Sequence, residues 1–412
     1  MSKHVLIIGG GVIGLMSAYY LMEAGHRVSV ADQTTMTDGC SYGNAGLVAP
    51  SHVVPLASPG MISTAIRYMF SSTSPLYFKP RLDRHLINWA WNFYRFSTRK
   101  HVHYAVPHLK NISLLSKELY NDLTKNFDFG YKEAGLLMLF RTGKGEKMEV
   151  EAAALAQKEG VDARILNAQE ISERQGGLAV DVKGGVYYPG DVQLIPDKMM
   201  DVLKHFLIGH GVQFFPEQQI KGFKLDKGKI LKIDGFDLPG PFDEVVVAAG
   251  SWSPLILKSI GLNLPLQAGK GYSFMMCDMG NNLRIPCVLK EARVALTPME
   301  NDLRVAGTME IAGINHRVCM NRVKGIVGSV SAYYPDIVPD IPEKEDVWHG
   351  LRPCSADGLP FIGRSRKIKN LVIATGHAMM GITLAPATGK LVSEIISEKK
   401  VCIDIDPFSP DR

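Results

Sequence analysis

The chain reads as an α/β protein with a Rossmann-like dinucleotide-binding domain and a second, antiparallel-sheet domain, both discontinuous in sequence. Three observations carry that expectation. A glycine-rich strand–turn–helix–strand unit opens the chain, two further strands of parallel type lie near residues 245 and 371, and the long stretches between them show short strands and polar helices. At 412 residues, with 46% hydrophobic and 21% charged positions, the sequence has ordinary globular composition and can bury a large core. No strict Gly or Pro period is present, which excludes a collagen or a solenoid array.

The opening unit comes first. Val5 to Met22 is an uncharged run behind Lys3 and His4, which could be mistaken for a signal peptide or a membrane span. Gly9, Gly10, Gly11 and Gly14 inside it argue instead for a strand, a tight turn and a buried helix. Val5 to Ile8 is the continuous apolar strand of a parallel sheet covered on both faces. Gly9, Gly11 and Gly14 form G-x-G-x-x-G directly after it, with Val12 and Ile13 between the last two glycines. The pattern allows a tight turn, close approach of backbone to a pyrophosphate, and close packing of helix on strand. The helix ends at Gly25, and the second strand, Val28 to Ala31, ends at Asp32, placed to accept from a ribose hydroxyl. An adenine dinucleotide is implied, with NAD and FAD both open at this point.

Four later features narrow the choice. A small-residue loop, Cys40-Ser41-Tyr42-Gly43-Asn44-Ala45-Gly46, can pass close to a flat ligand. The strand Val245 to Ala249 ends at Gly250; Gly350 to Gly363 holds Leu351-Arg352-Pro353 and Asp357-Gly358-Leu359-Pro360; and Leu371 to Ala374 leads into Gly376-His377-Ala378-Met379-Met380-Gly381 and an apolar helix to about Ile396. At the start of that helix, Gly381, Ile382 and Thr383 can offer backbone N–H groups to an anionic ring, with Pro386 read as a tolerated first-turn proline.

With these motifs in place, the chain resembles the flavoprotein family of amino-acid oxidases and dehydrogenases that includes glycine oxidase and sarcosine oxidase, and within it most the D-amino-acid dehydrogenases. The resemblance runs from the N-terminal glycines through Ser-x-Gly-Asn-Ala-Gly to G-L-R-P-x-x-x-D-G-x-P and G-H-x-x-x-G. It implies noncovalent FAD and a substrate α-hydrogen that leaves as hydride, giving an imino acid that water hydrolyses to a keto acid. It further implies cofactor contacts from Gly9, Gly11, Val12, Ile13, Gly14, Asp32, Gln33, Ser41, Asn44, Gly46, Leu47, Ile220, Gly250, Gly350, Gly381, Ile382 and Thr383. Arg352 is the expected clamp for the substrate carboxylate, since a planar guanidinium matches it bidentately. His52, six residues past the flavin loop, and Tyr272 are the other candidates for contact with substrate.

Departures from the pattern also inform. Met379 stands where glycine-oxidase-like enzymes carry Arg, Ala295 where a Tyr is expected, and Gly350 where sarcosine-oxidase types attach flavin to Cys. These changes point away from glycine and toward D-proline, a hydroxyproline or another neutral D-amino acid. An O₂-using glycine- or sarcosine-type oxidase is the alternative of the same class, and a tRNA-modifying flavin oxidase domain the alternative of another.

The expected organisation is a flavin domain of residues 1–51, 185–262 and 345–412, and a substrate domain of 52–184 and 263–344. Gly135 to Phe140 and Leu303 to Gly307 should be strands of the latter, and Gly145 to Glu159 a solvated helix. Asp197 to Gly211 should be a helix of the flavin domain, followed by a strand reaching Ile220. The six cysteines lie at least ten residues apart, so no CxxC metal or dithiol site is expected, and they read as reduced thiols of a cytoplasmic protein. Of the net charge of +5, residues 40–116 alone contribute +7, from eight basic residues and Asp83. Nucleic acid is not expected as a partner, because no long basic stripe follows. Within that segment His85 to Phe96, with Leu86, Ala90 and Phe93 at helical spacing, reads as an amphipathic helix with basic ends. Such a helix suits packing over the active site, or peripheral contact with an anionic membrane that would pass electrons to a quinone or other respiratory acceptor.

Overall fold

The computed structural model describes residues 1–68, 73–237, 240–279 and 283–412; of residues 64–67 it describes the backbone alone. A six-stranded sheet runs in the order Phe361–Arg364, Leu371–Thr375, Glu244–Val247, His4–Ile8, Arg27–Ala31, Gln213–Phe215. All neighbours are parallel except the first pair. The uninterrupted apolar runs are explained by burial on both sides. Val5, Ile7, Val28 and Val30 pack with Leu15, Met199, Ile382 and Val392 of three helices, Val12–Glu23, Pro196–Gly209 and Gly381–Ile396. Leu6, Ile8, Val245 and Val247 pack on the other side with the hairpin Gly222–Asp226/Lys229–Asp234 and the helix Ser253–Leu257.

The proline of the C-terminal helix does not lie in its first turn. The helix begins at Gly381 after a short turn, Ala378–Met380, so Pro386 falls inside it. A proline there removes the N–H that would bond the carbonyl four residues back, that of Ile382. The Tyr120 hydroxyl supplies the missing donor, bonding Ile382 O at 2.6 Å from the long helix Arg99–Leu123. The strand expected to reach Ile220 ends at Phe215; the chain then turns back along Asp32, with Gln218 N donating to Asp32 O, and Ile220 is buried against the sheet.

A second, larger sheet runs Trp348–Ser355, Leu266–Met276, Asp302–Ile311, Val294–Met299, Cys287–Leu289, Leu136–Phe140, Gly184–Tyr188, Arg164–Leu166, with Leu76–Phe78 also pairing Asp302–Ile311. It is antiparallel apart from the Cys287–Leu289/Leu136–Phe140 and Leu76–Phe78 pairs. Two of its strands, Gly184–Tyr188 and Trp348–Ser355, come from spans that the sequence pattern groups with the flavin part. The second does so because the Arg352 motif straddles a crossing: one strand closes the large sheet, and after Ala356–Pro360 the next, Phe361–Arg364, begins the small one.

Strand alternation gives the large sheet two chemically different faces. Tyr272, Phe274, Leu303, Val305, Val294 and Leu296 form one, packed with the helix Met320–Tyr333. Ser273, Arg304, Trp348, Gly350 and Arg352 alternate onto the other, which meets the 40–46 loop. Helix Arg84–Phe96, N-capped by Asp83, covers one end of that face: Leu86 and Trp89 are buried, and Trp89 Nε1 donates to Cys354 O at 2.8 Å. The Leu86/Ala90/Phe93 stripe therefore packs inward, as the plainer expectation had it. Among the described residues, no helix is long and apolar enough to cross a membrane.

The Tyr120 contact generates a stability prediction. Tyr120→Phe leaves the buried Ile382 carbonyl without a donor and should lower the unfolding free energy by about 1–3 kcal/mol. Denaturant unfolding measures it, and an unchanged midpoint would mean the proline gap is filled otherwise.

Candidate functional site

The dinucleotide cradle is built from steric necessity. Gly9 adopts φ +113°, and a Cβ at Gly14 would sit 1.8 Å from the Gly9 carbonyl, so helix and strand could not meet there with any side chain present. Gly11 caps the helix; Ser41 Oγ accepts from Val12 N at 3.0 Å, fastening the 40–46 loop over the helix start beside Val12 and Ile13. Asp32 does two local jobs: one oxygen accepts from Gly10 N at 2.7 Å and the other from Thr34 N and Oγ1. A carboxylate has acceptor capacity left for a ribose hydroxyl after these bonds. Gln33 is exposed beside it.

The loop is held from both sheets. Asn44 Oδ1 closes a turn onto Gly46 N, and Gly46 O accepts from Leu194 N. Thr383, in the first turn of the C-terminal helix, donates to Leu47 O at 3.1 Å and accepts from Ala49 N at 3.2 Å. From the large sheet, Ser273 Oγ donates to Gly43 O at 2.8 Å, and Arg304 Nη1 donates to Tyr42 O and Asn44 O at 2.9 and 3.0 Å. Burial pulls the Arg304 guanidinium below its usual range against the pull of Asp197, 3.6 Å away. The Trp348 ring is sandwiched between Gly43 and Gly350, where a Cβ would approach ring atoms to 2.1 Å. Gly250 lies at the end of the strand Glu244–Val247, with its carbonyl accepting from Thr375 Oγ1 at 3.0 Å.

Whether these residues suit a bound dinucleotide can be tested on polar atoms left over. Buried polar atoms normally find partners. Among the described residues, Trp348 Nε1, Thr297 Oγ1, Thr308 Oγ1 and Gln193 Oε1 are all buried without one. Trp348 and Thr297 belong to the loop-facing side of the large sheet, the side a flavin dinucleotide would lie against. The helix Gly381–Ile396 starts without a side-chain cap or an acid in its first turn, and nothing lies within 4 Å of a Cβ at Gly381. That end favours negative charge. The residues present fit a flavin dinucleotide.

Arg352 reaches across Gly271, whose absent Cβ would collide with the guanidinium at 2.2 Å, and donates to Thr308 O at 2.7 Å. Thr308 is the extra residue of a bulge opposite Lys270–Tyr272 and has φ +67°, which swings its carbonyl to meet Arg352. Among the described residues no carboxylate pairs with Arg352, and burial pulls its guanidinium below the usual range. Tyr272 does not share this space. Two strands of pleat parity put it on the opposite face, where its hydroxyl donates to Glu310 at 2.7 Å and accepts from Cys319 N at 3.1 Å. Glu310 also binds Lys270 and Arg322, so Tyr272 belongs to a buried structural network and is corrected as a candidate for substrate contact.

His52 lies just beyond Leu47–Val48. Burial, with Lys290 nearby, pushes its imidazole down to about 4, so it is neutral near pH 7, as is His377, pushed to about 3 by burial. Neither can serve as a cation for substrate. The neighbouring Ser51 is anchored, donating both its N–H and its hydroxyl to the buried Asp191. Sequence reasoning missed Trp348, Arg304, Ser273 and Asp191. Only Trp348 left a trace, as it shares with Gly350 and Arg352 the two-residue period of a strand.

The fold and the cradle define a dinucleotide-binding flavoprotein of two interlocked sheets. The chain belongs to the FAD dependent oxidoreductase family, whose model matches residues 4–395. It is an FAD-dependent enzyme. It is 34% identical to the D-amino acid dehydrogenase of Granulibacter bethesdensis, over 97% of each chain, and 31% identical to that of Neisseria gonorrhoeae, over 99% of each. Among solved structures it matches glycine oxidase from Geobacillus kaustophilus, with TM-score 0.79, 23% identity and coverage of 100% and 99% of the two chains. It also matches L-proline dehydrogenase from P. horikoshii, with TM-score 0.73, 17% identity and coverage of 99% and 97%. These likenesses establish the shared fold.

Asp191 yields a pH prediction. Burial raises its carboxyl to about 7, against the lowering effect of the Ser51 bonds. Between about pH 4 and 7 the folded state holds a proton that the unfolded chain has released, so this group's contribution to stability is present at low pH and lost as pH rises. Asp191→Asn keeps the shape without the titration. Its Tm should fall less than that of the wild type between pH 5 and 8; an equal or steeper fall would contradict the assignment.

Proposed function

We propose that this protein oxidises the α-carbon of a D-amino acid, with Arg352 holding the carboxylate and noncovalent FAD accepting the electrons. The observation that carries the reading is a half-buried Arg352 to which, among the described residues, no carboxylate pairs, on the sheet face that meets the flavin loop. Full-length likeness to two D-amino acid dehydrogenases supports it. When bound, FAD supplies a two-electron acceptor for the α-hydrogen, converting CH–NH₂ to C=NH, which water then hydrolyses to a keto acid and ammonia.

The protein's own part is binding and orientation. Thr308 O fixes one Nη of Arg352 and leaves the rest of the planar fork to grip both carboxylate oxygens. Trp348, pinned between two glycines, gives the site a rigid wall. His52 and His377, both neutral, add no competing positive charge. The glycine at 350 leaves no thiol at that position, and the nearby Cys354 thiol is pushed up to about 12 by burial, which keeps it protonated and unreactive. Both facts favour flavin held without a covalent bond. In keeping with the resemblance, residues 1–51, 185–262 and 345–412 supply most flavin contacts.

Arg352→Lys tests the reading. Lysine keeps the charge and loses the fork, so kcat/KM should fall by about 10- to 100-fold, the equivalent of about 1.5–3 kcal/mol for a charge-assisted bond, with flavin content unchanged. An unaltered kcat/KM would remove Arg352 from the site.

A second element of the proposal concerns the electron acceptor. Helix Arg84–Phe96 buries one face but presents another to solvent, with Ile87, Trp91 at 60% and Tyr94 at 62% exposure, between Arg84 and Arg95; Leu82 is exposed just ahead of it. Aromatic and basic side chains on one outer surface suit the headgroup region of an anionic membrane, where a quinone would take the electrons. The protein should float with anionic liposomes at low salt and release at high salt. Failure to float at low salt, together with faster reoxidation by O₂ than by quinone, would make it an oxidase in solution.

A further inference from the structure

Burial pulls three guanidiniums below their usual range: Arg293, Arg304 and Arg352. Arg304 has Asp197. Other cations in and beside this sheet are matched, Lys270 and Arg322 to Glu310, and Lys290 to Glu149. Among the described residues Arg293 and Arg352 have no carboxylate partner. Among the described residues, the one hydrogen-bond contact of the Arg293 head is Met61 Sδ, 3.4 Å from Nη2, a weak acceptor for a group with five donors.

The two orphans converge on one place. Arg293 ends the turn between Cys287–Leu289 and Val294–Met299 at φ +53°, and since Val294 pairs with Gly307, Arg293 stands across from Thr308. Thr308 O is the atom that holds Arg352. The two Cα positions are three strand spacings apart across the sheet, about 14 Å, with a further offset of about two residues along the strands, since Arg352 lies opposite Gly269 and Gly269 opposite Ile311; the Arg352 side chain crosses the neighbouring strand at Gly271. Met61 belongs to the helix Met61–Tyr68, which roofs this region. Tyr68 donates to Glu291 O at 3.4 Å on the Arg293 side and packs with the cluster of Met309 and Cys354 on the Arg352 side.

We propose that Arg293 is a second anion-binding residue of the substrate site, and that the substrate is a D-amino acid whose side chain ends in a carboxylate. The inference rests on the reading of Arg352 as the α-carboxylate clamp. One guanidinium takes the α-carboxylate, the other the distal one, and the uncharged roof of Met61 and Tyr68 keeps water from competing for either. This replaces the expectation of a neutral substrate drawn from Met379 and Ala295. Met379 is 43% exposed in the turn before the helix, and the second cation comes from a different strand end.

The holoenzyme tests this with isosteric pairs, D-glutamate against D-glutamine and D-aspartate against D-asparagine. The wild type should favour one acid over its amide by at least about tenfold in kcat/KM. Arg293→Met should erase that ratio mainly through KM, and Arg293→Lys should restore part of it. As a readout independent of turnover, glutarate should perturb the flavin spectrum at lower concentration than butyrate in the wild type, and lose that advantage in Arg293→Met. Turnover of neutral D-amino acids with no preference for either acid, or equal losses for acid and amide in the variant, would overturn the role of Arg293 while leaving Arg352 in place. Failure of every D-amino acid to reduce the flavin would overturn the underlying reading itself.

Discussion

The site depends on one constraint, the two-residue period of the large sheet. Residues 348, 350 and 352 share a face, and so do 269, 271 and 273 opposite them. With glycine at 269, 271 and 350, that face is flat enough for the Trp348 ring and the Arg352 side chain to lie along it. A shift of one residue in this pairing would turn Arg352 into the apolar core and bring Leu351 to the loop. Ser273 and Arg304 on the same face then bond the backbone of the 40–46 loop, so the sheet that carries Arg352 also fixes that loop.

The small sheet contributes an independent set of fastenings to the same loop. Ser41 ties it to the first helix and Thr383 to the last, while Tyr120 repairs the break that Pro386 makes in that last helix. The chemistry that results is a gradient of charge satisfaction. Lys270 and Arg322 on the far face of the large sheet are neutralised by Glu310 and Arg304 on the near face by Asp197, whereas among the described residues Arg352 has no carboxylate partner. A protein that buries guanidinium without a partner carries a desolvation cost that binding an anion offsets.

The dinucleotide half was legible in the sequence because its signals are local. Gly9, Gly11, Gly14 and Asp32 lie within one unit whose spacing is fixed by a turn and a short helix. The loop 40–46 and the helix at Gly381 could be placed for the same reason. In the other half only Arg352 sat in a motif local enough to single out. Tyr272 misled because proximity in sequence to Lys270-Gly271 says nothing about which face of a strand a side chain takes. Arg293, Asp191 and Arg304 left no local signal, since Asp191 bonds Ser51, Arg304 the 40–46 loop and Arg293 Met61, all more than a hundred residues away. Pro386 was placed one turn too early because the start of its helix is set by tertiary contacts and not by a capping residue.

The central claim is that a buried guanidinium presents an α-amino acid of one hand to FAD. Anaerobic mixing of the yellow holoenzyme with the two enantiomers of each of a panel of amino acids tests it most directly, with loss of the flavin absorbance as the signal. The account predicts that D-enantiomers bleach the flavin and their L-counterparts leave it oxidised. Bleaching by L-enantiomers alone, or by neither, would contradict it.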